Sequence, residues 1–98
     1  MQNERQLQEY TKKRAALYDV GFYKMVCAGK TGFPDVLLTC NGKCVFVELK
    51  SPAGHGRLSP RQKIMINELT GRGVEVHVVH TPERINTIIK ELINPEPE

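Results

Sequence analysis

Two short apolar runs, residues 36–39 and 44–47, lie on either side of the pair Asn41-Gly42. The runs are rich in β-branched and other apolar residues. Asn-Gly favours a two-residue type I′ turn, because both turn residues of this type have positive φ. The pattern therefore predicts a β-hairpin in which Cys40 faces Lys43.

The remaining elements follow from the spacing of apolar residues. Before the hairpin, the spacing predicts a helix over about residues 4–20 that Gly21 ends, and a strand over 22–26. After the hairpin, it predicts a helix from Ser59 to Gly71 or Gly73, a strand over 74–79 and a helix that begins at Thr81-Pro82. The order α-β-β-β-α-β-α predicts an α/β fold with a mixed sheet on which helices pack. Residues 94–98 are rich in proline and are expected to fray.

Length and composition limit the class of protein. A chain of 98 residues suits a single domain over residues 1–98, and 40% hydrophobic with 26% charged residues is typical of a soluble globular protein. No apolar run is long enough to span a membrane, and no signal peptide is recognisable. Three cysteines without a disulfide pattern suit a reducing compartment, so we expect a cytoplasmic protein with no membrane partner.

The hairpin collects charge at its open end. Counting outward from the turn places Asp35 opposite Glu48, and Lys50 shares their face because side chains alternate along a strand. Two neighbouring carboxylates favour a cation between them, and a hard divalent cation such as Mg²⁺ takes oxygen ligands of this kind. The alternative is an ordinary salt-bridge cluster on a solvated sheet face.

The net charge of +3 permits a polyanionic partner without requiring one. The segments around the hairpin are basic, as a phosphodiester substrate would favour. The candidate contacts to a nucleic-acid backbone are Lys30, Arg57, Arg61 and Lys63.

Three other features of the sequence do not indicate a functional site. Gly29-Lys30-Thr31 lacks the earlier glycine of a P-loop, since position 24 is Lys, so no nucleotide cofactor is expected. Cys40 and Cys44 lack a second ligand pair for structural zinc. An isolated loop histidine such as His55 is usually solvated.

The polar residues Gln62 and Glu4 can each be explained by their position at the start of a helix. Ser59 and Gln62 form the pattern of a capping box, with Gln62 at the N3 position. With Asn3 as N-cap, Glu4 lies in the first turn of the first helix, where the helix dipole favours a carboxylate.

Taken together, three motifs resemble the PD-(D/E)XK nuclease superfamily and, within it, the VRR-NUC (virus-type replication-repair nuclease) domains, which are similar to Holliday-junction resolvases. The motifs are Gly32-Phe33-Pro34-Asp35, Glu48-Leu49-Lys50 and Leu58-Ser59-Pro60-Arg61-Gln62. They occur in order and with family-like spacing across nearly the whole chain. The fold implied is the restriction-endonuclease-like core.

The resemblance assigns roles to individual residues. It implies that Asp35 and Glu48 bind metal together with the backbone carbonyl of Leu49. It implies that Lys50 is the catalytic lysine and that Gln62 is an active-site glutamine. The helical glutamate of the family corresponds best to Glu4, with Glu9 as the alternative.

The resemblance also implies an activity: a Mg²⁺- or Mn²⁺-dependent DNA endonuclease that acts as a homodimer on four-way or otherwise branched DNA. The short chain suits a phage-encoded protein acting in the cytoplasm of a bacterial host. One alternative is an accessory nuclease that processes flaps or ends. Another is a DNA-binding module that keeps the fold without the chemistry.

Overall fold

The computed structural model describes residues 3–51 and 56–95. The described elements follow the predicted order. They are α1 (Glu4–Leu17), β1 (Gly21–Lys24), β2 (Val36–Cys40), β3 (Lys43–Leu49), α2 (Pro60–Gly71), β4 (Val76–Val79) and α3 (Pro82–Ile93). The predicted mixed sheet with helices packed on it is therefore confirmed.

The hairpin has the predicted turn and register. Asn41 and Gly42 have φ values of 51° and 82°, as a type I′ turn requires. Cys40 faces Lys43, and the pairing continues outward to Val36 opposite Val47. Asp35 and Glu48 occupy the next position at the open end of the hairpin.

The four strands form one sheet in the order β1-β2-β3-β4. β1 pairs antiparallel with β2, and β2 pairs antiparallel with β3. β4 pairs parallel with β3 after the crossover through α2, with Leu49 beside Val79. This arrangement places β3, which carries the charged motif, in the interior of the sheet.

Alternation along the strands divides the sheet into two faces. One face joins α1 and α3 in a single apolar core, whose strand residues are Val36, Leu38, Val45, Val47, Leu49 and Val79. The apolar stripe of α3 is buried in this core: Ile85, Ile88, Ile89 and Leu92. The opposite face carries Glu48 and lies toward α2.

Several boundaries differ from the prediction. α1 ends at Leu17, three residues early, because Asp19 reverses the chain with a φ of 56° and Val20 is buried in the core. Gly21, predicted to end the helix, instead begins β1. The two outer strands are shorter than predicted, since β1 ends at Lys24 and β4 begins at Val76.

At the C-terminal end, α3 stops at Ile93 with Asn94 as its C-cap. Residues 96–98 of the predicted frayed tail lie outside the described residues. No helix in the described ranges is long and apolar enough to cross a membrane.

Candidate active site

Asp35 lies where the chain enters β2, and its backbone and side chain are both held in place. The amide of Met25 donates to the Asp35 carbonyl oxygen at 2.7 Å. The amide of Leu49 donates to Asp35 Oδ2 at 3.2 Å across the hairpin. Phe33, two residues earlier, packs edge to face on Phe46, with ring centroids 5.2 Å apart. These contacts fix the carboxylate at the open end of the hairpin.

Glu48 is a buried carboxylate with an unused acceptor. The residue is 1% exposed, and its buried Oε1 has no hydrogen-bond partner among residues 3–51 and 56–95. Desolvation and then the negative charge of Asp35 raise its pKa from 4.5 to about 7, against the opposing effect of the Lys50 ammonium. A buried carboxylate oxygen without a partner is costly in water-free surroundings, and a bound cation would satisfy it.

Glu4 completes a group of three carboxylates. It lies in the first turn of α1, which Asn3 and Gln6 cap reciprocally. One carboxylate oxygen from each of Glu4, Asp35 and Glu48 lies within 4.8 Å of the other two. Three hard oxygen donors at this spacing, one with an orphaned acceptor, fit a divalent metal ion. Glu9 is exposed and is not part of this group.

Gln62 connects the lysine to the buried carboxylate. Lys50 Nζ donates to Gln62 Oε1 at 2.8 Å, and Gln62 Nε2 donates to Glu48 Oε2 at 3.0 Å. The Lys50 ammonium also lies 3.5 Å from Glu48 Oε2. At the same time Gln62 Oε1 accepts from the backbone amide of Ser59 at 2.8 Å. The capping role and the contacts in the site are therefore both present.

The position of α2 depends on Gly32. A Cβ atom at Gly32 would lie 2.6 Å from the carbonyl oxygen of Arg61 and 2.8 Å from the amide nitrogen of Gln62. Gly32 also has a φ of 82°, a region that favours glycine. The loop before Asp35 thus contacts the first turn of α2 directly, and this contact places Gln62 beside the carboxylates.

The comparisons with known proteins agree with this arrangement. The family model of the VRR-NUC domain matches residues 3–82. The chain belongs to the VRR-NUC family. It is also similar to a solved structure described as a VRR_NUC domain, with 26% identity and a TM-score of 0.79 over 92% of this chain and 97% of that one. No curated protein matches the sequence.

Membership of the VRR-NUC family implies a nuclease-type domain with DNA as its substrate. Nucleases of this type generally depend on metal, in keeping with the three carboxylates at the open end of the hairpin. The individual roles of Glu4, Asp35, Glu48, Lys50, Gln62 and the Leu49 carbonyl stay predictions, although the structure brings the five side chains together.

All four predicted backbone-binding residues are exposed: Lys30, Arg57, Arg61 and Lys63. Arg61 Nη1 donates to Thr31 Oγ1 at 2.8 Å, which links α2 to the loop that carries Lys30. Arg57 follows Gly56, where a Cβ atom would lie 3.0 Å from Lys50 Cβ. Arg57 is thus one position from a residue that lies against Lys50. Their DNA contacts stay predictions.

Other candidates lie elsewhere. His55 lies outside the described residues. The hydrogen-bond partners of His77 are Glu75 and Arg84, which do not belong to the group of Glu4, Asp35 and Glu48. A cavity of about 660 Å³ surrounds Cys40 and Cys44 at the turn end of the hairpin, opposite the candidate site.

Two residues near the site were not singled out from the sequence. His80 Nε2 donates to the Gly56 carbonyl oxygen at 3.2 Å and so fixes the chain beside Lys50. Ile64 lies exposed on α2, next to the turn that carries Gln62. Ile64 could have been noticed in the sequence as an apolar residue at a helix position that faces solvent. The His80 contact could not, because it joins residues 24 positions apart.

Proposed function

We propose that this chain is a Mg²⁺- or Mn²⁺-dependent DNA endonuclease that hydrolyses phosphodiester bonds. The observation that carries the proposal is the convergence of Glu4, Asp35 and Glu48 next to the Lys50 ammonium. A cross-strand salt-bridge cluster would lie in solvent, whereas Glu48 is 1% exposed and Lys50 is 9% exposed. Of the three carboxylates, Glu48 is buried, Asp35 is half-buried and Glu4 is exposed. Burying the Glu48 carboxylate beside Asp35 lowers stability, which indicates that the arrangement serves a function.

Asp35 and Glu48 would hold the metal, assisted by Glu4 and the Leu49 carbonyl. Within the described part of the chain, Glu48 Oε1 is an acceptor without a partner, and Asp35 Oδ2 accepts from the Leu49 amide. A divalent ion bound there supplies positive charge to the scissile phosphate and lowers the pKa of the attacking water. Hydrogen bonds from the Leu49 amide to Asp35 and from Gln62 to Glu48 hold both carboxylates in place.

Lys50 is placed to act on the reacting groups. Its ammonium is oriented by Gln62 and Glu48, so little conformational freedom is lost when substrate binds. In this position it would orient the attacking water, or neutralise the charge that develops on the phosphate. Gln62 is a positioning residue for both Lys50 and Glu48.

The substrate in this proposal is branched DNA, with four-way junctions cut by a homodimer. A two-fold pair of sites matches a two-fold substrate. Exposed cations near the site would bind phosphates by charge and geometry rather than by reading bases. Cleavage of flaps or ends is the second candidate. Loss of catalysis is disfavoured because Lys50 and Gln62 both contact Glu48, and oxygens of Glu4 and Asp35 lie within 4.8 Å of the Glu48 carboxylate.

The test uses labelled four-way, flap and linear duplex DNA, each with Mn²⁺ and with EDTA. We expect Mn²⁺-dependent cleavage, which Lys50→Met lowers by about 100-fold or more because a group that stabilises the transition state is lost. Lys43→Met is the matched control. Lys43 lies on the same strand but at the turn end, in an exposed pair with Glu75, and its loss should leave cleavage unchanged.

Three results would contradict parts of the proposal. Absence of metal-dependent cleavage on every substrate would overturn the enzyme assignment. Equal cleavage of linear duplex and four-way DNA would overturn the preference for branched substrates. A sedimentation mass equal to one chain, both free and with DNA, would overturn the homodimer.

A further inference from the structure

A groove lies between the loop before Asp35 and the outer side of α2. Its volume is about 440 Å³, within the range of small-ligand sites. It is lined by Gly29, Lys30, Thr31, Arg61, Ile64 and Met65. The Arg61–Thr31 hydrogen bond joins the two sides of the groove.

The groove contains an apolar surface that the fold does not use. Ile64 is 69% exposed although it lies in a regular helix, while Met65 beside it is 7% exposed. The exposed part of Ile64 contributes nothing to the core and is free to pack against a ligand in the groove. A ligand in the groove would bury this part of Ile64.

Positive charge surrounds the apolar surface. Lys30 and Arg61 line the groove, and no carboxylate is among the described lining residues. The Arg61 guanidinium has five N–H donors, and within residues 3–51 and 56–95 only its bond to Thr31 occupies one. The groove thus offers an apolar contact together with donors for an anion.

The groove adjoins the candidate active site. Arg61 precedes Gln62, whose side chain contacts Lys50 and Glu48. On the other side, the loop that lines the groove continues through Gly32, which lies against Arg61 and Gln62, to Asp35. A chain of nucleotides that crosses the carboxylates can therefore continue along this groove.

We propose that the groove receives one unpaired nucleotide of the DNA substrate, with its base against Ile64 and Met65 and its phosphate on Lys30 and Arg61. The inference rests on the proposed nuclease function and adds a feature of the branched substrate, namely an unpaired nucleotide at the branch, next to the cleaved bond. An apolar surface beside cations complements a base with its phosphate, as in proteins that bind single strands. A paired base within a duplex is stacked on its neighbours, so its apolar faces are not free to pack against Ile64.

The experiment measures binding by full-length protein in EDTA, so that no cleavage is required. The probes are two duplexes of one sequence, one fully paired and one with a single unpaired 2-aminopurine, whose fluorescence reports the surroundings of the base. The variants are Ile64→Ser and, as matched control, Val26→Ser. Val26 is 88% exposed and does not line the groove.

We expect the protein to bind the duplex with the unpaired base more tightly and to change its fluorescence. Ile64→Ser should weaken this binding by about fivefold, the lower end of base-stacking contributions, and leave the paired duplex unaffected. Val26→Ser should change neither. Equal affinity of the wild type for the two duplexes, or equal effects of the two variants, would overturn the proposal.

A second measurement tests whether another copy of this chain occupies the groove instead. Sedimentation should give the same mass for the wild type and Ile64→Ser. A lower mass for Ile64→Ser alone would assign the groove to a dimer contact and overturn the nucleotide site. The binding experiment contains no metal, so it tests only whether an unpaired base strengthens binding. The nuclease assignment is tested separately, by the Mn²⁺ cleavage assay.

Discussion

The Lys50 ammonium donates a 2.8 Å hydrogen bond to the side-chain carbonyl oxygen of Gln62, the same oxygen that caps α2 by accepting from the Ser59 amide. Through its amide nitrogen, Gln62 also donates to Glu48. One side chain therefore fixes both the start of a helix and the relative positions of a cation and a buried carboxylate. The two roles can be separated by mutation.

Gln62→Ala should lose cleavage, whereas Ser59→Ala should not. Each variant removes part of one capping box and should lower the free energy of unfolding by about 1 kcal/mol. Only Gln62→Ala removes the oxygen that accepts the 2.8 Å hydrogen bond from Lys50, so cleavage should fall by about 100-fold. The measurements are chemical denaturation and cleavage rate per folded protein. Equal cleavage by the two variants would show that Gln62 acts only as a cap.

The stability of the metal-free protein should fall as the pH rises from about 4.5 to about 7, the ordinary and folded pKa values of Glu48. In this interval the folded protein binds more protons than the unfolded chain, so the free energy of unfolding decreases with pH. The loss from this group is on the order of 3 kcal/mol. Thermal unfolding in EDTA at pH 5 and pH 7.5 measures it.

Glu48→Gln is the control for this pH effect. The amide cannot ionise, so unfolding of the variant should depend less on pH over the same interval. Addition of Mn²⁺ at pH 7.5 should stabilise the wild type more than the variant, because the ion favours the ionised carboxylate. A pH dependence equal to that of the wild type would show that another group is responsible.

Glu4→Gln should weaken Mn²⁺ binding, and Glu9→Gln should not. Both residues lie on α1, but only Glu4 contributes an oxygen to the group of three carboxylates. Loss of one charged ligand should weaken affinity by about tenfold or more. Calorimetric titration with Mn²⁺ measures the difference. A larger effect of Glu9→Gln would assign the helical acid to Glu9.

Gly32→Ala should destabilise the protein more than Gly42→Ala. Both glycines have a φ of 82°, so both variants incur backbone strain of about 1–2 kcal/mol. Only at Gly32 does a new Cβ meet backbone, whereas nothing lies within 4 Å at Gly42. Overpacking at Gly32 should add about 1–3 kcal/mol, measured by chemical denaturation. Equal losses would show that α2 shifts freely.

Much of the fold follows from local signals in the sequence. Asn41-Gly42 specifies the turn, and with it the register that places Asp35 next to Glu48. Ser59-Pro60 and Thr81-Pro82 specify two helix starts, both confirmed. Local signals predict a helix boundary less well where a tertiary contact sets it. At Asp19 the chain reverses and Val20 is buried in the core, so α1 ends early.

The hairpin, the order of elements and the motifs of a VRR-NUC domain can be recognised in the sequence, because turn residues, helix caps and side-chain alternation act over a few neighbouring positions. Which helical acid reaches the carboxylates depends on the tertiary structure. It also showed that Gly32 is needed for close contact with α2, and that the Gln62 cap oxygen also binds Lys50. These relationships join segments far apart in the chain, and packing between the sheet and its helices sets their distances.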